Sequence, residues 1–462
     1  MASKWCTKKF EDLFLIPLRN GLTRPKRVRG SGIKMVNMGE IFAYDRLYDP
    51  PMDLVPISDK EKDSYLLHPG DLLFARQSLV REGAGKCSIV KQIGSETTFE
   101  SHLIRCRLNL EFANPDFYYY FFKSHLGKAA IEAIIEQVAA AGIRGTDLAK
   151  VLLPVPPIYE QQAIAHILVA LDDKIELNKR MNETLESMAQ GLFKSWFVDF
   201  DPVIDNVLVT GKPIPPELTS RGALREALGN KGKILTEKVR NLFPSKLNTC
   251  EYGWTPDGWK MYTIGDVVKV VGGGTPSTAI PDYWEGGVHP FCTPKDMSGL
   301  LSTALVDTER YLTDKGVAKV SSGILPPGTV LLSSRAPIGY LAISDIPISV
   351  NQGIIAMICD NLITNAYVLN WTRFHMEDVL ARANGATFLE ISKKNFRTIP
   401  FLHPNEEVLK AFNAFGNEIY SRIRLCAREM YNLAKLRDHL LSKLLSGSLR
   451  VKDAEKIVES HL

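Results

Sequence analysis

The sequence predicts a mixed α/β (α+β) protein of two similar globular halves, each followed by a long helix, with the two helices paired antiparallel as a coiled coil. Three observations carry this expectation. Marker residues recur in one order about 250 residues apart, too far for a solenoid repeat and right for a duplicated domain. In both halves short β-rich apolar runs, such as Asp71–Phe74, Val330–Leu332 and Gly353–Ile358, sit among Gly/Pro turns. Two stretches of about 40 residues carry apolar stripes in one common register.

Composition bounds the answer. A chain of 462 residues suggests about three folding units. Hydrophobic residues at 45% and charged residues at 23% are ordinary for globular protein and exclude a largely disordered chain. Lys plus Arg is 56 against 52 Asp plus Glu, a net charge of +4, so overall charge does not by itself announce a nucleic-acid binder. Seven dispersed cysteines with no C-x-x-C argue against a disulfide framework and against a zinc site. Met1–Phe10 has charges and no apolar core of a signal peptide, and the apolar run Ala163–Leu171 is short and interrupted by His166. A cytoplasmic location is expected.

The repeat is read from its anchors. Trp5 and Asp12-Leu13 answer Trp259 and Asp266-Val267. Pro69-Gly70 before Leu72-Leu73-Phe74 answers Pro327-Gly328 before Val330-Leu331-Leu332, and Leu148 and Pro156 answer Phe396 and Pro404. The expected organisation is a first globular domain over 1–157 and a helical spacer over 158–200. A connector follows over 201–250, with prolines at Pro202, Pro213, Pro215, Pro216 and Pro244 and a polar stretch of helical character from Leu218 to Leu242. The second globular domain spans 251–403, and a second helical spacer with a C-terminal tail spans 404–462.

The helices share a seam. Ile164, Ile167, Leu171, Ile175, Asn178, Asn182, Leu185, Met188, Leu192 and Trp196 recur at steps of three and four. Carried into the second repeat, the same register reads Phe412, Phe415, Ile419, Ile423, Cys426, Met430, Leu433, Leu436, Leu440 and Leu444. Pro156-Pro157 and Pro404 precede the helices, where proline is tolerated, and Gly447 stops the second. A pseudo-two-fold internal repeat with its axis across the helices makes the pair antiparallel. It brings Asn178, Asn182, Cys426 and Met430 together, and a buried Asn at a seam fixes register at some loss of stability.

Motifs of self-sufficient catalysis are missing. There is no phosphate-binding G-x-x-x-x-G-K-[ST] loop and no G-x-G-x-x-G after a strand. Asp49-Pro50-Pro51-Met52 has Met where a base-flipping methyltransferase motif needs an aromatic, so it reads as a turn. Pro281-Asp282-Tyr283-Trp284-Glu285 starts like a nuclease motif without its E-x-K. His289 and Cys292 have metal-compatible spacing and no partners. No catalytic residue and no metal site are expected.

Charge is local. Arg19, Arg24, Lys26, Arg27, Arg29 and Lys34 share one Gly/Pro-containing loop with no acid. Guanidinium and ammonium groups suit phosphates and guanine edges. A second loop carries Arg76, Gln77 and Arg81, and Arg and Gln are common major-groove readers. In the second half, Ser334 and Arg335 hold the equivalent place. Gly272-Gly273-Gly274-Thr275-Pro276-Ser277 replaces the basic loop with amides and with the hydroxyls of Thr275 and Ser277, and Lys295 adds a cation. Similar frames with unlike loops are expected of two readers of different targets, and also of simple drift.

At this point the chain resembles the specificity (S) subunit of type I restriction-modification systems over its full length. The resemblance rests on Gly273-Gly274-Thr275-Pro276-Ser277 with Asp282-Tyr283-Trp284-Glu285-Gly286-Gly287, and on Pro69-Gly70-Asp71-Leu72-Leu73-Phe74. It rests further on Leu153-Pro154-Val155-Pro156-Pro157 with Glu160-Gln161-Gln162, and on Leu171-Asp172-Asp173-Lys174-Ile175. The most distinctive run is Leu192-Phe193-Lys194-Ser195-Trp196-Phe197-Val198-Asp199-Phe200-Asp201-Pro202. The second helix departs from the pattern, with Pro404-Asn405-Glu406 in place of P-P…E-Q. The resemblance implies two target-recognition domains, each reading half of a bipartite double-stranded DNA target. It implies helical spacers that dock two modification (methyltransferase) subunits, restriction subunits in the larger complex, and no catalysis by this chain. S-adenosylmethionine then belongs to the modification subunit, and ATP with Mg to the restriction subunit. A stand-alone methyltransferase or nuclease, and a coiled-coil scaffold without a DNA role, are the alternatives.

Overall fold

Pro69-Gly70 and Pro327-Gly328 each turn the chain into the central strand of a sheet, and both glycines need a left-handed backbone, with φ of +89° and +86°. That shared turn is one sign that the chain folds one topology twice. The computed structural model describes residues 5–137, 141–229, 235–251, 253–360, 362–385 and 389–459. The chain divides into two compact units, Met1–Ile175 with Asn432–Leu462, and Glu176–Tyr431.

In the first unit the strands in chain order are β1 (Phe14–Asn20), β2 (Ile33–Val36), β3 (Arg46–Tyr48), β4 (Asp53–Val55), β5 (Leu72–Ala75), β6 (Gln77–Ser78), β7 (Cys87–Gln92), β8 (Thr97–Phe99), β9 (Leu103–Leu108) and β10 (Ala141–Gly142). The main sheet has the order β1-β9-β5-β7-β3, with β3 parallel to β7 and the other pairs antiparallel. A second sheet has the order β4-β2-β8, with β2 parallel to β8. The central strand β5 is buried along its whole length, and accordingly it is uniformly apolar rather than alternating.

The second unit repeats this plan with β11 (Lys269–Gly272), β12 (His289–Cys292), β13 (Ala304–Leu305), β14 (Arg310–Leu312), β15 (Val330–Ser334), β16 (Ile338–Ser344), β17 (Ser349–Val350) and β18 (Ile354–Ile358). Its main sheet runs β11-β18-β15-β16-β13, with β13 parallel to β16, and its second sheet β14-β12-β17, with β12 parallel to β17. A two-stranded ladder stands beside each plan, Cys6–Lys9 with Leu152–Val155 and Lys260–Thr263 with Pro400–His403. The internal repeat thus holds strand by strand, down to the parallel pairs.

Five helices position the rest: α1 (Pro115–Lys123), α2 (Ile158–Phe193), α3 (Asn365–Phe374), α4 (Glu406–Leu445) and α5 (Val451–Glu459). In the first unit the opening turns of α2 share one core with the closing turns of α4, through Ile164, Ile167, Leu168, Leu171, Leu433, Leu440 and Leu444. The sheet residues Phe10, Leu72, Phe74 and Ile104, and Ala454 and Val458 of α5, complete that core. In the second unit the later turns of α2 meet the opening turns of α4. Asn182 Nδ2 donates to the Ile423 carbonyl at 3.4 Å, Asn178 Nδ2 to Glu429 at 3.0 Å, and the Cys426 thiol lies 3.6 Å from Met181 Sδ. An early stretch of one helix against a late stretch of the other in each unit is antiparallel pairing. Asn178, Asn182, Cys426 and Met430 are all buried, as the register predicts.

Two seam expectations are corrected. Phe415 is 46% exposed, because Phe412 and Gly416 take the inner positions and Gly416 lies against Ala366 of α3. Met188 is exposed as well, while Ala189 and Phe193 are buried. A 3.6-residue helix drifts against a fixed 3.5-residue repeat, so a long seam cannot stay in one register. Ile175, Leu185, Leu192 and Ile419 are only half-buried. The helix of the first spacer runs to Val198, as the spacing predicts, but changes its winding on the way. α2 stops at Phe193, and Lys194–Val198 form a single π-helical turn that buries the successive rings of Trp196 and Phe197, followed by Phe200 at φ +55°.

Residues 201–250, expected as a connector, carry the helices Asp201–Val209, Thr219–Leu228 and Glu237–Arg240 within the second unit. Arg221 and Arg225 clamp Asp201 and Asp205 at 2.6–2.8 Å, and Asn206 donates to the carbonyls of Arg240 and Phe243. All seven cysteines are free thiols. Among the described residues no helix is long and apolar enough to cross a membrane.

Candidate nucleic-acid interface

One end of each main sheet gathers the loops in question. In the first unit the register pairs Ala75 with Leu103 and Ile104 with Asn20, so the exits of β1 and β5 lie beside the entry to β9. Arg76 continues that ladder, its amide donating to the His102 carbonyl and its carbonyl accepting from Ile143, both at 2.8 Å. The main chain is therefore fixed while the Arg76 side chain stays exposed. Gln77 Nε2 lies 2.8 Å from His102 Nδ1, and Arg81 Nε donates to Glu132 at 2.5 Å.

The basic loop between β1 and β2 is less free than its composition suggests. Arg24 donates to Glu61 at 2.7 Å and to the Pro56 carbonyl at 3.0 Å. Arg29 donates to Asp53 at 2.6 Å and to Asn37 at 2.9 Å, and Lys34 to Asp49 at 2.7 Å. The hydrogen bond from Arg24 holds the Glu61 carboxyl down at about 2. These three cations are latches that shape the loop, which corrects their reading as free phosphate ligands. Lys26 and Arg27 sit at the crest, on a single 3-10 turn, and are exposed. Arg19 lies with its guanidinium 5.1 Å from the Tyr65 ring.

In the second unit the equivalent end carries residues 273–277, 335–337 and 351–353. The Thr275 hydroxyl donates to Gln352, and Trp284 Nε1 donates to the Ser277 carbonyl at 3.0 Å, with Arg310 stacked 3.5 Å from the Trp284 ring centre. Thr275 and Ser277 are exposed at this end. Ser334 is not: it is the last residue of β15, 2% exposed, with its amide bonded to the Gly353 carbonyl at 2.8 Å. Its buried hydroxyl cannot reach a ligand, and it is withdrawn from the site. Arg335, half-exposed, comes within 3.8 Å of Glu390, and Lys295 is exposed and paired with Glu309 at 2.7 Å.

His102, Arg144 and Gln352 are among the polar side chains at these ends that sequence reasoning missed. Each reaches the site through a ladder with a distant strand, as Arg144 does by following Ile143 onto the Arg76 carbonyl. No local spacing signals such pairing. Among the described residues no group of three or more His, Cys, Asp or Glu side chains could hold a metal ion.

Helix-borne side chains fasten each recognition frame. Gln161, fully buried on α2, accepts from the Asn114 amide at the start of α1 and donates to the carbonyls of Phe112 and Pro156, at 2.8–3.0 Å. On α4 Asn413 does the same for α3, accepting from the Thr364 hydroxyl and donating to the Leu362 carbonyl, at 2.8 and 2.9 Å. Asp172 of α2 accepts from Tyr120 at 2.7 Å and from Arg437 at 2.6 Å. In the second unit Asp345, with a buried carboxylate, takes both Arg424 and Arg428 of α4. The Glu-Gln-Gln and Leu-Asp-Asp motifs of the sequence thus hold frames and touch no ligand end.

Comparison with known proteins fits this layout. A family model described as the type I restriction modification DNA specificity domain matches residues 2–187 and 256–423. Over 443 residues the chain is 24% identical to the type I restriction enzyme HindI specificity subunit of Haemophilus influenzae, a match covering 90% of this chain and 94% of that one. Over 171 residues it is 34% identical to the type I restriction enzyme MjaIX specificity subunit of Methanocaldococcus jannaschii, covering 37% and 39% of the two chains. A solved type I restriction-modification S subunit from M. genitalium aligns over 95% of this chain and 96% of that one, with 16% identity and a TM-score of 0.49.

Proposed function

Since this chain belongs to the type I restriction-modification DNA specificity family, we propose that it reads a bipartite duplex target, one half-site per unit, for a complex whose chemistry is done by other subunits. The observation that carries this is a single one. Two copies of one strand order present unlike polar loops from the same end of the same sheet, Arg76 and Gln77 with the Lys26-Arg27 crest in one, Thr275, Ser277 and Arg335 in the other. Equivalent frames with different contact surfaces are what two different half-sites require.

The division of labour follows from the chemistry of the loops. Exposed Lys26 and Arg27 are suited to phosphates, which position a protein on the duplex. Arg76 and Gln77 have the donor geometry that distinguishes guanine and adenine edges in the major groove. In the second unit the hydroxyls of Thr275 and Ser277 accept or donate to either base type, with Arg335 beside them. The subunit is non-catalytic. Two modification subunits docked on the helices would use S-adenosylmethionine, and restriction subunits in the larger complex would use ATP and Mg.

Methylome sequencing of the host with and without this chain tests the proposal. The expected result is a split, asymmetric methylated motif that disappears on deletion. A motif that persists without the chain, or one that is continuous, overturns the reading. Purified chain alone should bind no S-adenosylmethionine.

A further inference from the structure

The two units differ most sharply in the connection after the central strand. β15 and β16 are joined by residues 335–337, whereas the equivalent β5 and β7 are joined by residues 76–86. The longer connection ends in an apolar tip. Leu79 is 98% exposed and Val80 60%.

This tip is held out by a structured turn. β6 pairs with β10 through Ser78 and Ala141, and the Val80 amide donates to Ser78 Oγ at 3.2 Å. Arg81–Gly83 form one 3-10 turn, in which a Cβ at Gly83 would meet Ser78 Oγ at 2.3 Å and the Phe42 ring at 3.1 Å. The Arg81–Glu132 pair and the bond from Lys86 Nζ to the Phe42 carbonyl, at 2.9 Å, tie down the far side. Exposing a leucine from a braced turn contributes nothing to folding, since the free energy of apolar burial is forgone. The side chain is therefore free to meet a group outside the chain.

Its surroundings identify the class of partner. Arg76, Gln77, Arg81 and Lys86 share its connection, and this connection leaves the sheet at the end that carries the candidate DNA contacts. The exposed Arg76 and Gln77 on the same connection match a duplex, and the thymine 5-methyl group in its major groove is the apolar contact open to the leucine. We propose that Leu79 is a specificity-determining contact of the first unit, an apolar fingertip that reads a thymine methyl in its half-site. The proposal rests on the DNA-reading role argued above.

The test uses the complete complex with its methyltransferase subunits and the motif found by methylome sequencing. Each thymine of the first half-site is replaced singly by deoxyuridine, which removes the methyl group and nothing else. At one position the wild-type complex should bind about tenfold more weakly, at the low end for one methyl in an apolar contact. The Leu79→Ala complex should lose about the same factor on the unmodified duplex and be indifferent to that replacement. An unchanged half-site preference in Leu79→Ala, an equal deoxyuridine penalty in both complexes, or a half-site with no thymine on either strand overturns the proposal. Impaired assembly of Leu79→Ala with the methyltransferase, at unchanged DNA preference, assigns the tip to a protein contact and also overturns it. If the wild-type complex methylates no split motif, the underlying DNA reading fails instead, and the two failures are distinguishable.

Discussion

Arg27 and Arg29 stand two residues apart in one basic loop and do opposite work. Arg27 is exposed on the crest, while Arg29 is bonded to Asp53 and Asn37. Arg27→Ala should lower the slope of log binding constant against log salt by about one, uniformly across sequences. Arg29→Ala should leave that slope nearly unchanged and loosen the loop. Equal slope changes would make both phosphate contacts. The Arg24–Glu61 latch carries a pH signature. The hydrogen bond from Arg24, joined by those from the Ser58 amide and hydroxyl, sets the Glu61 carboxyl at about 2, below its ordinary value of 4.5. A depressed carboxyl contributes stability above its unfolded value, so the latch is intact at neutral pH and is lost as pH falls from 4.5 toward 2. An NMR titration of Glu61 should find its midpoint near 2 in the wild type and higher in Arg24→Ala, still below 4.5 because the Ser58 amide and hydroxyl go on donating to it.

Elements are fastened by amides that cap one helix from another. Gln161→Ala leaves the Asn114 amide and the carbonyls of Phe112 and Pro156 without a partner in a buried place. The expected loss is about 2–4 kcal/mol in thermal or urea unfolding, from unsatisfied buried groups. A loss under about 0.5 kcal/mol would mean that the site relaxes or hydrates. Asn182 is the contrary case. Its Oδ1 has no partner and its Nδ2 makes one long bond of 3.4 Å, although the side chain is fully buried. Asn182→Leu should stabilise by about 1 kcal/mol, a rise of about 2–4 °C in melting temperature. A fall in melting temperature would show that the amide is better satisfied in solution than this geometry allows.

For the molecule as a whole, the helices are the element whose length can be changed independently of the loops that read. One heptad added to both α2 and α4 adds about 10 Å of helix. The unread gap of the target should grow by about three base pairs, at about 3.4 Å per step, with both half-sites unchanged. Methylome sequencing of the lengthened variant reads this directly, and an unchanged gap rejects the helices as the spacer. The antiparallel partnership inside each unit makes the paired insertion necessary, since lengthening one helix alone misaligns Asn178 and Asn182 with Glu429 and Ile423.

The sequence by itself determined the doubled plan, the long antiparallel helices, their four central residues and the loops that carry the charge. These are encoded locally, in Pro-Gly turns, 3.5-residue stripes and runs of like residues, whose consequences hold wherever the chain is placed. Only the tertiary structure decided which of those residues remain available. Arg24, Arg29 and Lys34 are taken up by Glu61, Asp53 and Asp49, Ser334 is buried by the ladder it ends, and Phe415 is turned out by the close approach of Gly416 to α3. His102 enters beside Gln77 only because β5 and β9 are neighbours. Burial and ion pairing are properties of strand order and long-range register, and these are set by the packing of elements far apart in the chain.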